Sequence, residues 1–238
     1  MKESITRNAP GTPVEPAAVE GVFELFDPKS EFDVNYSCNL PHWHQVGATY
    51  FITFRTDDSI PVSLARSWYR RRDDWLRRHG IDPQTSDWRK ALNGLSRDSR
   101  QEFHETFSRQ FLDYLDQGYG DCQLRKPDLA RIVADSLLHF DGARYHMGDF
   151  VVMPNHVHLV VCILGDIEPE VHCYSWKKFT VTQINRRLGR KGRFWQEESF
   201  DHLIRNPDQF DAIRKYIANN PASAGLREGE YYHYKRAS

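Results

Sequence analysis

The residues best suited to chemistry lie in one short stretch near the middle of the chain. It reads Val-Val-Met-Pro-Asn-His-Val-His-Leu-Val-Val and begins at Val151. Because Pro and Asn favour turns, the pattern predicts strands over 145–152 and 156–163 joined by a tight turn. Side chains two apart on a strand share a face, so His156 and His158 point the same way. Two such imidazoles can direct ring nitrogens at one divalent cation.

The histidine pair has a plainer interpretation as well. A His-X-His on a strand can be two half-exposed polar residues that bind nothing, since spacing alone sets neither the number of ligands nor their geometry. The sequence therefore offers His156 and His158 as candidate metal ligands, and other parts of the chain must supply the remaining ligands and the substrate contacts.

Length and composition restrict the class of protein. The 238 residues fit one large domain, or one domain with a sizeable insertion, and 39% hydrophobic residues supply a core. A net charge of −1 argues against coating nucleic acid by bulk charge, but not against a local basic groove. The four cysteines are far apart, which disfavours a disulfide framework or a zinc finger. No apolar run approaches the ~18 residues of a membrane span, so we expect a cytoplasmic protein without membrane contact.

The elements around the histidine pair follow a simple order. Pro-rich residues 1–45 predict an extended N-terminal arm, and a β-branched, aromatic run over 48–55 predicts the first strand. Helical patterns fill 61–118, and a further helix begins at Pro127 and precedes the histidine hairpin. After the hairpin we expect a loop to Cys173 and then a helix, a strand and a last helix.

This order predicts the fold class. With residues 61–118 set aside, the chain reads strand, helix, strand, strand, helix, strand. We therefore expect an α+β fold with a ferredoxin-like β-α-β-β-α-β core, an antiparallel sheet, a helical insertion after the first strand and a C-terminal helix that carries Tyr216. Within that last helix Tyr216 and Asn220 are four apart and lie one above the other. Tyr216 can equally be a core tyrosine, and Asn220 can simply cap the helix before Pro221.

The helix predicted over 175–188, with Ser175 as its N-cap, begins a strongly basic segment. No acidic residue occurs between Ser175 and Arg193. Cations beside Trp176, Phe194 and Trp195 would suit a phosphate backbone with stackable bases, although a solvated face with core aromatics explains the pattern equally well. The candidate DNA-binding residues are Lys177, Lys178, Arg186, Arg187, Arg190 and Arg193.

Several motifs, in this order, resemble those of REP-associated tyrosine transposases, which belong to the HUH family of single-strand DNA transposases. The similarity covers about 49–55 and 127–226. Besides the histidine stretch, the motifs are Ser-Trp-Lys-Lys-Phe from residue 175, Phe-Trp-Gln-Glu-Glu from 194, Asp-His-Leu-Ile-Arg-Asn from 201 and Tyr-Ile-Ala-Asn-Asn-Pro from 216.

The resemblance implies a catalytic domain over 46–226 that includes the insertion, followed by a tail over 227–238. It implies that His156, His158 and Asn220 hold Mg²⁺ or Mn²⁺. It also implies that Tyr216 is the nucleophile that cuts one DNA strand near a hairpin, keeps a 5′-phosphotyrosine link and releases a 3′-hydroxyl. The implied partner is single-stranded DNA with a hairpin from a repetitive palindromic element, bound by a monomer or homodimer that associates with the nucleoid.

Two rival functions remain open on the sequence. The first is a non-catalytic regulator that binds hairpin DNA on the same fold. The second is a zinc-dependent hydrolase that uses the histidine pair, with Tyr216 in a structural role only. Formation of a covalent protein–DNA adduct distinguishes the transposase from both.

Overall fold

The computed structural model describes residues 22–35, 42–85, 87–197 and 199–237. In chain order, the strands are β1 (Asp33–Asn35), β2 (His42–His44), β3 (Thr49–Arg55), β4 (Tyr145–Val152), β5 (His156–Ile163), β6 (Phe200–Leu203) and β7 (Tyr232–Tyr234). β1 and β2 form a separate hairpin, and the other five strands form one sheet in the order β6-β3-β5-β4-β7. The two predicted strands of the histidine hairpin, β4 and β5, are confirmed at their predicted bounds.

The sheet confirms the predicted α+β fold with its ferredoxin-like core. β5 is antiparallel to both β3 and β4, so β3 and β4 are parallel to each other with β5 between them. β6 is antiparallel to β3, so β5 and β6 form a second parallel pair separated by β3. Two interleaved β-α-β units are the defining arrangement of this fold. The chain beyond 226 adds a fifth strand, since β7 pairs antiparallel with β4.

The helices divide between the core and the predicted insertion. They are α1 (Val62–Arg78), α2 (Trp88–Asn93), α3 (Arg97–Phe103), a π-helix (His104–Arg109), α4 (Gln110–Asp116), a 3-10 turn (Gln123–Arg125), α5 (Pro127–Leu138), α6 (Pro169–Leu188) and α7 (Pro207–Ser223). α1 to α4 enclose an apolar core of their own, which includes Trp68, Trp75, Leu76, Trp88, Phe103 and Phe107. Within the described ranges, no helix combines the length and apolarity that a membrane crossing would need.

The two faces of the sheet carry different cores. On one face α5 and α6 cover the side chains of Val157, Leu159 and Val161 from β5. On the other face α7 covers Val160 and Cys162. Alternation along β5 therefore sends His156 and His158 to the α7 face, as the period-two pattern predicts.

The start of α6 corrects the sequence prediction. The segment up to Cys173 was expected to be a loop and Ser175 an N-cap, yet α6 begins at Pro169. Pro is well suited to the first helical position, and Glu170 follows in the first turn, where the helix dipole favours an acidic side chain. Cys173 is buried against the sheet, so apolar burial extends the helix by nearly two turns toward its N-terminus.

The part of the predicted N-terminal arm that the structure describes packs against the domain. Phe23 and Leu25 are buried in the cluster under α7, and Glu24 forms a parallel bridge with Ala48. Residues 1–21, which the arm also includes, lie outside the described residues. The domain boundaries at 46 and 226 stay predictions.

Candidate functional site

The turn before β5 fixes the orientation of the first histidine. Nδ1 of His156 lies 2.7 Å from Oδ1 of Asn155, and Nδ2 of Asn155 donates to the carbonyl oxygen of Tyr119 at 2.9 Å. An amide oxygen only accepts, so Nδ1 of His156 carries the proton and Nε2 carries the lone pair. Nε2 of His156 is buried and has no hydrogen-bond partner in the described part of the chain.

The second histidine is fixed by the neighbouring strand and by the last helix. Nδ1 of His158 lies 2.7 Å from Oγ1 of Thr53, its register partner on β3. Its Nε2 lies 3.2 Å from the hydroxyl of Tyr216 on α7. Phe51 stacks on the His158 ring at a centroid distance of 5.5 Å, which holds the imidazole against the sheet. The phenol of Tyr216 thus lies beside the histidine pair.

An acidic side chain from the insertion reaches the same place. Oδ1 of Asp116, at the end of α4, lies 3.6 Å from Nε2 of His156 and accepts a hydrogen bond from Nδ2 of Asn220 at 3.1 Å. Asp116, His156 and His158 offer ligand atoms that all lie within 4.8 Å of one another. Asn220 is only 1% exposed, and its Oδ1 finds no partner among the residues that the structure describes.

Burial lowers the pKa values of the two histidines at the site and raises the pKa of Asp116. Burial lowers the pKa of His156 to about 3, and burial together with the neighbouring His156 lowers that of His158 well below its usual value. Burial raises the pKa of Asp116 to about 6; the hydrogen bond from Asn220 opposes this rise. Both imidazoles are therefore neutral at pH 7, which is the form that binds a metal ion.

The phenol is a poor nucleophile in this environment without a cation. Burial raises the pKa of Tyr216 above its usual value, and the nearby Asp116 and Asp113 raise it further, while Asn220 acts in the opposite direction. A divalent cation among these carboxylates and imidazoles would offset the negative field that disfavours the phenolate.

A bulge in β4 positions the helix that carries Tyr216. The β4–β5 register shifts between Met147 and Phe150, and Gly148 at the shift has no room for a side chain, because a Cβ there would lie 3.0 Å from Val160. The buried Asp149 next to it accepts a hydrogen bond from Nε of Arg214 at 2.9 Å. This ion pair fixes α7 two residues before Tyr216.

The insertion is attached to the sheet close to the site. Asp58, just after β3, accepts a hydrogen bond from the backbone N–H of Asp121 at 2.7 Å. Gly120 has φ +88, and a Cβ there would lie 2.6 Å from Asp58, so this contact requires glycine. Because Tyr119 contacts Asn155 and Asp116 contacts Asn220, the last residues of the insertion line the site itself.

These residues fit a divalent cation. Two neutral imidazole nitrogens and a carboxylate oxygen converge, and the amide of Asn220 lies beside that carboxylate. A cation there would satisfy the buried Nε2 of His156, which has no hydrogen-bond partner in the described residues. The mixed set of nitrogen and oxygen donors suits Mn²⁺ or Zn²⁺, while Mg²⁺ would depend on additional oxygen ligands.

Two arginines, Arg100 in the insertion and Arg205 just after β6, lie near His104, and Arg205 also lies near His202. His202 lies opposite Phe51 in the sheet register. Burial lowers the pKa of His202 to about 4, and the charges of Arg205 and His104 lower it further. Burial and the nearby cations Arg205 and Arg100 lower the pKa of His104. Both histidines are therefore neutral at pH 7.

The basic segment occupies the opposite face of the sheet. The sequence suggests three aromatic residues as stacking partners for DNA bases. All three are buried in the core between the sheet and α5 and α6: Trp176, Phe194 and Trp195. Trp195 donates from Nε1 to Oγ1 of Thr180 at 2.8 Å. These aromatics are core residues, which was the alternative interpretation.

The six candidate DNA-binding cations differ in their contacts. Lys177 donates to the carbonyl oxygens of Gln196 and Glu197 and to Oγ of Ser199, so its ammonium holds the loop after α6. Arg187 is paired with Asp128 at 2.8 Å.

Arg190 donates to Oδ1 of Asn185 and to the carbonyl oxygen of Arg193. The guanidinium of Arg193 lies 3.7 Å from the carboxylate of Glu197. Lys178 and Arg186 are exposed on α6.

The structure therefore brings Tyr216, His156, His158 and Asn220 together and leaves the basic segment on the other face. Sequence reasoning missed Asp116 and the positioning side chains of Asn155, Thr53 and Asp149. Asn155 lies next to His156 in the sequence, which is a local signal. Nothing local marks Asp116, because its contact with Asn220 spans 104 residues.

Comparison with known proteins returns no matching family model and no matching curated relative. One solved structure is described as "Structure of the REP associates tyrosine transposase bound to a REP hairpin". It shares 16% sequence identity with this chain, with a TM-score of 0.44, over 78% of this chain and 73% of that chain.

Proposed function

We propose that this chain is a metal-dependent single-strand DNA endonuclease and strand-transferase of the HUH tyrosine transposase type, acting on hairpin-bearing repeat DNA. The observation that carries the proposal is the 3.2 Å contact between the Tyr216 hydroxyl and Nε2 of His158, beside the unpartnered Nε2 of His156. A phenol held against two neutral imidazoles and a carboxylate suits nucleophilic attack at a phosphate whose charge a cation neutralises.

The proposed ligands are His156 and His158 through Nε2, Asn220 through Oδ1, and Asp116 through its carboxylate. When bound, Mg²⁺ or Mn²⁺ polarises the scissile phosphate and stabilises the charge that develops in the transition state. Asn155 and Thr53 serve as positioning residues, because each contacts Nδ1 of one histidine and leaves Nε2 directed into the site.

The contact between Tyr216 and His158 belongs to the metal-free protein. Nε2 of His158 has one lone pair, so it cannot accept from the phenol and hold a cation at the same time. With Nε2 of His158 holding a cation, the Tyr216 hydroxyl would lose this hydrogen bond and its oxygen would stay at the site.

The covalent step exchanges one bond at phosphorus for another, with one proton lost and one gained. The Tyr216 oxygen loses its proton and forms a bond to phosphorus, and the bond from phosphorus to the 3′ oxygen breaks. The 3′ oxygen gains a proton and leaves as a hydroxyl, while the 5′ phosphate stays on Tyr216. The phosphotyrosine conserves the energy of the cut bond, so attack by a 3′-hydroxyl reverses the step and joins strands.

The test is denaturing electrophoresis of the protein with labelled hairpin oligonucleotides, with and without Mn²⁺. We expect a covalent adduct that requires Mn²⁺. Tyr216→Phe removes only the nucleophilic oxygen, so we expect it to abolish the adduct and leave hairpin binding within about twofold of wild type. Tyr231→Phe, a change at a half-buried tyrosine on the same face, is the matched control. An undiminished adduct with Tyr216→Phe would refute the assignment.

The donor set supports one further candidate. Two histidines and an aspartate that converge on one point are also a catalytic zinc set with room for a water molecule. A zinc-dependent hydrolase would bind Zn²⁺ tightly and turn over without any protein–DNA adduct, and Tyr216→Phe would leave its turnover nearly unchanged. The same gel, run with Zn²⁺ in place of Mn²⁺ and stained for both cleaved strand and adduct, separates the two functions.

A further inference from the structure

The outer face of α6 carries exposed aromatic side chains that the fold does not use. Tyr174 is 63% exposed and Phe179 is 52% exposed, while Trp176 between them is buried. They are the most exposed large aromatics within the described ranges. Aromatic rings lose contact with the apolar core in such positions, so their presence on a solvent-facing helix requires a reason.

Cations lie among these rings. Nζ of Lys178 lies 5.5 Å from the centroid of the Tyr174 ring. Arg186 is exposed two turns further along α6, roughly 12 Å from Lys178 at 1.5 Å per residue. The sequence from Ser175 to Arg193 contains no carboxylate. The face therefore combines exposed π surfaces with the positive charges of Lys178 and Arg186, which form no ion pair among the described residues.

We propose that the outer face of α6 binds a single-stranded segment of DNA, with Tyr174 and Phe179 stacking on unpaired bases and Lys178 and Arg186 contacting phosphates. This proposal rests on the proposed function and adds a second binding surface for the same substrate. Alternating rings and cations are the pattern that non-specific single-strand binding uses. The bases of a duplex are stacked on each other and are not available to protein rings.

The charge of this face favours nucleic acid over a second copy of the chain. A self-complementary interface would have to place Lys178 and Arg186 against carboxylates of the same patch, and α6 offers one carboxylate, Glu170, for the two cations. A phosphate backbone supplies that negative charge along its whole length.

A strand on this face has a route to the reactive residues. The chain after α6 joins the end of the sheet, where the backbone N–H of Gln196 donates to the carbonyl oxygen of Arg55 at 2.8 Å. Arg55 lies opposite His156 in the β3–β5 register. DNA that follows α6 toward its C-terminus therefore arrives at the end of the sheet that carries the metal ligands.

The test compares two labelled oligonucleotides by fluorescence anisotropy without added Mn²⁺, so that neither is cut: a blunt hairpin and the same hairpin with a single-stranded extension. Tyr174→Ala/Phe179→Ala should weaken binding of the extended hairpin about 10- to 100-fold, from the loss of one or two stacked bases. Binding of the blunt hairpin should stay within about twofold. Val171→Ala, which trims an exposed aliphatic residue of the same helix face, is the matched control and should change neither affinity.

Lys178→Ala gives a second readout. It should lower the slope of log affinity against log salt concentration by about 1 for the extended hairpin, because one phosphate contact is lost. Circular dichroism melts check that each variant folds, as expected for exposed side chains.

Three results would overturn the inference. The first is an unchanged affinity of the double variant for the extended hairpin. The second is an equal loss of affinity for both oligonucleotides, which would assign the rings to hairpin recognition. The third is a change from dimer to monomer with unaltered DNA affinity, which would make this face a protein interface. Failure of wild type to form an adduct refutes the proposed function instead, because the affinity measurements do not depend on Tyr216.

Discussion

The two faces of the central sheet meet opposite requirements. On the face under α5 and α6, buried side chains such as Leu129, Val133 and Leu159 are apolar, and the buried Trp176 and Tyr145 hydrogen-bond each other. On the face under α7, His156, His158 and Asn220 are as deeply buried, yet Nε2 of His156 and Oδ1 of Asn220 have no partner in the described residues.

The apolar face stabilises the fold, and the α7 face holds the polar side chains of the proposed site. Burying a polar atom without a partner costs roughly 1–3 kcal/mol, so the α7 face weakens the metal-free fold at the positions where it gathers ligands. The apolar face offsets this cost. The proposed site therefore lies on the face where Nε2 of His156 and Oδ1 of Asn220 are buried without a partner in the described residues. Substitutions on the two faces should separate folding from function.

The largest expected effect is on the free energy of unfolding, in two core variants that lie on opposite faces of the sheet. Leu129→Ala and Ile217→Ala each remove a fully buried side chain, so each should lower the free energy of unfolding by about 2–5 kcal/mol. Leu129→Ala should leave the rate of adduct formation per folded molecule unchanged. Ile217→Ala should lower it, because Ile217 packs α7 beside Tyr216. Urea melts and single-turnover gels measure the two quantities, and equal rates for both variants would break the comparison.

The next effect concerns the charge of Asp116, whose side chain is 22% exposed. Its pKa of about 6 in the folded protein exceeds the 3.8 of the free side chain, so its stabilising contribution is complete below pH 3.8 and is lost as pH rises through 6. The loss amounts to roughly 3 kcal/mol at 1.4 kcal/mol per pKa unit. Asp116→Asn should therefore be more stable than wild type at pH 8 without metal, and equal to it near pH 3.8.

Adding Mn²⁺ should reverse the order of stability of the wild type and Asp116→Asn at pH 8. Mn²⁺ should raise the melting temperature of the wild type at pH 8 more than that of Asp116→Asn, because the variant lacks the carboxylate ligand. A variant that gains as much from Mn²⁺ as the wild type would remove Asp116 from the ligand set.

The smallest expected effect concerns the residue that orients His156. Asn155→Ala removes the acceptor for Nδ1–H, and such a loss typically costs 10- to 100-fold in metal affinity. Asn155→Asp keeps an oxygen acceptor and should bind Mn²⁺ within a few-fold of wild type. Isothermal titration with Mn²⁺ measures both. Equal losses for the two variants would show that the contact with Tyr119, rather than the acceptor for His156, is what matters.

Local patterns predicted the elements that build the core of the site. The alternation along 156–163 predicted both the strand and the face of its histidines, and the i, i+4 spacing placed Tyr216 and Asn220 on one helix edge. Where a local signal competed with burial, the prediction failed. Ser175 resembles an N-cap, but buried side chains upstream extend α6 back to Pro169.

By itself the sequence determined the order of strands and helices and the presence of a histidine pair and a tyrosine at chemically useful spacings, because periodicity and turn residues act over a few positions. Only the tertiary structure decided that Asp116 lies beside the histidine pair, that Trp176 and Trp195 are core residues, and that Tyr174 and Phe179 remain exposed. Those outcomes depend on contacts between residues far apart in the sequence, 104 residues apart for Asp116 and Asn220, and packing rather than any local pattern decides them.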